Sequence, residues 1–115
     1  MKWGAGFWNK TWSRPYGRYN KHHEEVWKAV EPYIHGKIVD LGCGPCVLYK
    51  GRDVALTGVD FSKTALVQAR ENYPKGNYVL ADARNTGLPD KEFDTCIMLG
   101  LLDYFPVWEE VLREA

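Results

Sequence analysis

Four short apolar runs, at residues 38–41, 54–59, 77–81 and 93–102, alternate with segments of helical spacing or turn residues. Runs of that length with nearly every position apolar suit strands buried on both faces, not strands with one wet side. Such strands alternating with helices predict an α/β class: a doubly wound, Rossmann-like parallel sheet with helices on both faces. Right-handed crossovers then set a binding crevice at the carboxyl ends of the strands. Three chemistry-bearing features fall at such ends: the Gly42–Gly44 turn, Asp60 and Asp82.

The intervening segments carry their own signals. From Asn20, a suitable N-cap, Val26, Val30, Tyr33 and Ile34 form one helical stripe, bent or ended by Pro32 and stopped by Gly36. Residues 47–51 supply only a short helix. Ser62 is placed to cap a helix whose Ala65, Leu66, Ala69 and Tyr73 share a face, closed by Pro74 and Gly76. Pro106 opens a last helix with Val107, Val111 and Leu112 inward. Residues 1–19 crowd Trp3, Phe7, Trp8, Trp12, Tyr16 and Tyr19 into an aromatic arm. It either packs its rings over the core or forms a lid over the cleft through Trp8, Tyr16 and Tyr19. Domain organisation is therefore expected to be this arm and one domain over 20–115.

With 115 residues the chain holds one domain with a real core. Fifteen Lys+Arg balance fifteen Asp+Glu, which argues against a nucleic-acid surface working by bulk charge. No apolar run approaches the roughly 20 residues that span a bilayer, and the opening residues lack a signal-peptide core. Three cysteines fit a reducing compartment, so a cytoplasmic location without membrane or nucleic-acid partners is expected.

A glycine turn between strand and helix lets a ligand approach backbone where a side chain would collide. An acid ending the next strand can accept from both hydroxyls of a ribose. Asp60 stands sixteen residues beyond Gly44 and twenty beyond Asp40, a spacing suited to that task. Asp40 precedes the turn as D-x-G-x-G, and a carboxylate there repels a pyrophosphate and attracts an ammonium group. S-adenosylmethionine has the ammonium and no phosphate, although the same carboxylate can instead accept from local amides.

IVDLGCGP, TGVDFS and LADARNTGLPDKEFDTCIMLGLLDYF follow in the order of the motifs of the class I S-adenosylmethionine-dependent methyltransferases, and residues 24–115 resemble that family. The likeness is to the subgroup that methylates small molecules. It implies a sheet in the order 3-2-1-4 and S-adenosylmethionine as cofactor. It implies further that Asp40, Gly42, Cys43 and Gly44 hold the methionine part and Asp60 the ribose, with Phe61 beside the adenine. Asp82 would meet the adenine amino group with Ala83 next to it, and Leu99, Gly100 and Leu101 would line the methyl-transfer position. Asp103 and Tyr104, after the fourth strand, are the candidates to touch the acceptor, with Asp103 as general base or simply a helix cap. A base is dispensable for some acceptors, because a sulfonium donor is already activated and the protein mainly aligns the reacting atoms.

Cys46 stands where the family has its third glycine, and the helix after the turn is about one turn short. The family continues from the last helix into three further strands, whereas this sequence ends at Ala115. Strand 93–102 is then expected as an open edge, which implies self-association, a partner chain or a truncated product that is marginally stable. A non-catalytic cofactor-binding module is the second functional expectation. Cys43-Gly44-Pro45-Cys46 also spells the active-site string of thioredoxin-like proteins, a third expectation that accounts for neither Asp60 nor Asp82. A zinc site from Cys43, Cys46, His22 and His23 lacks the right spacing, so no metal is expected.

Overall fold

The computed structural model of the chain describes residues 21–82, 85–89 and 91–99. Among them, strands β1 (Lys37–Leu41), β2 (Ala55–Asp60), β3 (Asn77–Leu80) and β4 (Thr95–Ile97) form a parallel sheet in the order β3-β2-β1-β4. This is the expected order. Asp40 sits opposite Gly58 on β2 and Ile97 on β4, and Asp60 opposite Leu80, so the strands end together along one edge.

The apolar run of β1 has a direct structural cause. Ile38 faces one core, with Trp27, Tyr49, Leu56, Ala69, Tyr73 and Ile97. Val39 and Leu41 face a second with Val59, against which Leu88 and Phe93 of the β3–β4 connection pack. A strand buried on both sides has no room for alternation.

Helix α1 (Lys21–Val30) continues as a 3-10 turn, Glu31–Tyr33, that contains Pro32. Its stripe differs from the expected one: Tyr33 is 79% exposed, and the buried residue is Trp27. The tightened turn rotates Tyr33 off the apolar face, while Val26, Val30 and Ile34 pack on the core as expected. Helix α2 (Lys63–Asn72) begins as foreseen, the Ser62 hydroxyl accepting from the Ala65 amide, and buries Ala65, Leu66 and Ala69. Tyr73 closes α2 with its hydroxyl donating to the Val54 carbonyl at 2.7 Å.

β4 is described over Thr95–Ile97, shorter than the apolar run 93–102, with Met98 and Leu99 following it as irregular backbone. Asn20, the aromatic arm 1–19 and the Pro106 helix lie outside the described residues. Among the described residues, no helix is long and apolar enough to cross a membrane.

Candidate functional site

β1 runs into the turn through Leu41, and the turn folds back onto the end of β2. The amides of Gly42 and Cys43 both donate to the Val59 carbonyl, at 2.7 and 3.0 Å. The Gly44 amide donates to Oδ2 of Asp60 at 2.9 Å. Pro45 has no amide hydrogen, and the Cys46 amide returns to the Cys43 carbonyl at 3.3 Å. Positive φ angles of 75° at Gly42 and 56° at Gly44 make this closure possible. Every amide from 42 to 46 is therefore engaged within the protein. A phosphate-binding turn works by presenting free amides to the anion, and this one presents none.

Two acids flank the turn instead. Asp60 ends β2 and is buried, Oδ1 accepting from the Ser62 amide at 2.8 Å and Oδ2 from Gly44. One carboxylate thus ties the glycine turn to the start of α2. Burial holds Asp60 above the ordinary carboxylate range, against the opposing pull of the Ser62, Gly44 and Phe61 amides. With about four acceptor positions, a carboxylate so used still has capacity for ligand hydroxyls.

Asp40 is buried near the end of β1, its Oδ2 accepting from the Tyr49 hydroxyl at 2.6 Å. Burial pushes its pKa up to about 7, the Tyr49 hydrogen bond opposes that, and the nearby Asp60 charge adds to it. Among the described residues, no cation pairs with Asp40 or Asp60. Two buried acids without a cation, beneath a turn without free amides, disfavour a pyrophosphate and suit a ligand carrying an ammonium or sulfonium charge. That donor set fits S-adenosylmethionine.

The thiols behave differently from a redox pair. The Cys43 thiol is held well above its ordinary value by a hydrogen bond with Cys46 and by burial, the reverse of activation at a helix N-terminus. Only a three-residue 3-10 turn, Val47–Tyr49, follows. Together with the all-parallel sheet, this overturns the thioredoxin-like expectation. Among the described residues no three or more His, Cys, Asp or Glu side chains gather to hold a metal ion.

A family model described as "Methyltransferase domain" matches residues 39–115. The chain belongs to the class I S-adenosylmethionine-dependent methyltransferases. It is 35% identical over 88 residues to a phosphatidylethanolamine N-methyltransferase of Cereibacter sphaeroides, covering 69% of this chain and 43% of that protein. A solved structure described under the conversion of a disulfide bond into a thioacetal group during echinomycin biosynthesis is 28% identical, with a TM-score of 0.66. The match covers 77% of this chain and 42% of that one. Magnesium protoporphyrin IX methyltransferase from Synechocystis PCC 6803, solved with bound S-adenosylmethionine, gives a TM-score of 0.68 at 20% identity, over 96% of this chain and 67% of that one. At that identity the likeness is one of fold. The chain spans less than half the length of the curated relative, 43%.

In this chain the strand ends bring Asp40, Gly42, Cys43, Gly44, Asp60 and Phe61 to one edge of the sheet. Asp82 follows β3 by two residues, its carbonyl accepting from the Asn85 amide at 2.9 Å. Leu99, 49% exposed, follows β4. Ala83, Gly100, Leu101, Asp103, Tyr104 and the lid residues Trp8, Tyr16 and Tyr19 lie outside the described residues. Cys46, at the third glycine position, adopts φ 58° and ψ 31°, so it accepts a left-handed conformation that costs a non-glycine residue about 1–2 kcal/mol. Its smallness permits the close packing expected, and its buried thiol meets Cys43.

Two contributors escaped the sequence. Tyr49, which holds Asp40, stands in an apolar VLY string that gives no sign of its hydroxyl's task. Gly58 lies where an added Cβ would stand 2.8 Å from the Cys43 sulfur and 2.9 Å from Cδ1 of Tyr78. An isolated glycine inside a strand signals such close approach, and that signal was present in VALTGV.

Proposed function

We propose that this chain binds S-adenosylmethionine in the crevice at the carboxyl ends of β1 and β2 and serves cytoplasmic methyl transfer to a small-molecule acceptor. Asp40 receives the ammonium group, and Gly42, Cys43 and Gly44 border the methionine part. Asp60 accepts from the ribose hydroxyls beside Phe61, and Asp82 with Ala83 meets the adenine. When bound, the cofactor supplies a methyl group already activated on sulfur, so the residues of the chain need only bind, orient and exclude water. Leu99, Gly100 and Leu101 line the transfer position; Asp103 and Tyr104 contact the acceptor, and Trp8, Tyr16 and Tyr19 cover the cleft. The relative above at 35% identity is named for phosphatidylethanolamine, which is not a macromolecule, and this favours an acceptor of small-molecule class.

The observation that carries this assignment is the turn whose amides are all engaged, set between two buried acids that no cation pairs with among the described residues. Calorimetry with S-adenosylmethionine and S-adenosylhomocysteine tests it, and absence of binding to both refutes it. A tritiated-methyl transfer screen against small acceptors then separates an enzyme from a binding module, since binding with no transfer to any acceptor favours the module.

A further inference from the structure

Tyr49 belongs to the short 3-10 turn that follows the glycine turn, and it is 1% exposed. Its ring is braced from two sides. Trp27 of α1 meets it edge-on, with centroids 6.2 Å apart at 82°, and Tyr73 lies at 6.2 Å and 57°. Both braces are themselves fixed. The Trp27 indole donates to Glu31 at 2.7 Å and carries the Arg52 guanidinium 4.6 Å above its ring. The Tyr73 hydroxyl bonds both the amide and the carbonyl of Val54, at 2.8 and 2.7 Å. A phenol locked this way has little freedom to turn, so its hydroxyl stays on Oδ2 of Asp40.

We propose that Tyr49 is a positioning residue whose hydroxyl orients the Asp40 carboxylate toward the ammonium group of the cofactor. This rests on the cofactor assignment above. A carboxylate on a strand can swing about its terminal torsion, which is broad; the 2.6 Å bond from a fixed phenol removes that freedom. Among the described residues, the charged and titratable groups around Asp40 are Tyr49 itself, Asp60 at the end of β2, Cys43 in the turn and Cys96 on β4. None of them is a cation, so Tyr49 is the group on hand that favours the ionised form. Cofactor affinity is accordingly expected to rise with pH through about 7, as Asp40 loses its proton.

The test is calorimetric titration of the chain with S-adenosylmethionine from pH 5.5 to 8.5, for wild type, Tyr49→Phe, Asp40→Asn and the double variant. Tyr49→Phe should weaken binding at pH 7 roughly tenfold or more, the loss of a hydrogen bond to a charged group. It should also move the pH midpoint up by about 1 unit. In the Asp40→Asn background it should change nothing further. Two results overturn the positioning role while the cofactor assignment stands. In the first, wild type binds and Tyr49→Phe matches it in affinity and midpoint. In the second, the full effect of Tyr49→Phe persists in the Asp40→Asn background. If wild type binds neither the cofactor nor S-adenosylhomocysteine, the assignment falls and this role with it. Should Tyr49→Phe not fold, NMR of ζ-13C-labelled tyrosine in the wild type replaces it. A Tyr49 signal that moves with pH and with cofactor, and no longer does so in Asp40→Asn, supports the role; an unmoved signal overturns it.

Discussion

Replacing Asp40 by asparagine should make the protein more stable at neutral and alkaline pH while leaving it nearly unchanged in acid. The folded state holds this carboxyl at about 7 against an ordinary value of 3.8, a rise of about 3 units worth about 4 kcal/mol in all. The sign follows from proton counting. Between those two values the unfolded chain has already lost the proton that the folded chain keeps, so stability falls as pH climbs through the window. Above about 7 both forms are ionised and the loss is complete. Against a total stability of about 5–15 kcal/mol for a domain of this size, that loss is large. Asparagine keeps an acceptor for the Tyr49 hydroxyl and has no charge to desolvate. Urea unfolding followed by tryptophan fluorescence, to which buried Trp27 contributes, at half-unit steps from pH 4 to 8.5, measures the difference between variant and wild type. Burial pushes Asp60 in the same direction, but it titrates in both proteins and largely cancels in the difference. That difference should grow by about 4 kcal/mol across the range. A difference independent of pH would show that Asp40 is not buried as an isolated acid and would refute the electrostatic basis of the cofactor assignment.

Asp60→Ala strips the acceptor from the amides of Gly44 and Ser62 and should cost about 1–3 kcal/mol in both stability and cofactor affinity; calorimetry showing unchanged affinity would remove Asp60 from the ribose. Gly58→Ala places a methyl group 2.8 Å from the Cys43 sulfur, too close without displacement, and should lower stability by about 1–3 kcal/mol in thermal unfolding. An unaltered melting curve would mean that the turn yields freely.

The fold was legible because its cause is local and repeated. β1 is apolar at every position that meets either core, and Ser62 caps α2 through a bond only three residues long. Tyr33 misled for a related reason. A 3.6-residue stripe assumes an unbroken helix, whereas Pro32 sits in a 3-10 turn that shifts the phase and leaves Tyr33 out; Trp27, three residues before Val30 on the α-helical part, is buried instead. The site was legible in its residue types and not in its bonds. D-x-G-x-G and the later acids could be assigned to strand ends, because crossovers bring those ends together whatever the loop details. Which hydrogen-bond donors remain available depends on distances across the sheet. The Gly44 amide is spent on an acid sixteen residues away, and Asp40 meets a phenol nine residues away; neither pairing follows from periodicity. Those same pairings turn a weak glycine signature into a chemical discrimination. A GxG turn accommodates many nucleoside cofactors. One whose amides are consumed internally, with its acids buried and, among the described residues, left without a cation, disfavours the phosphate-bearing ones by charge and by want of donors.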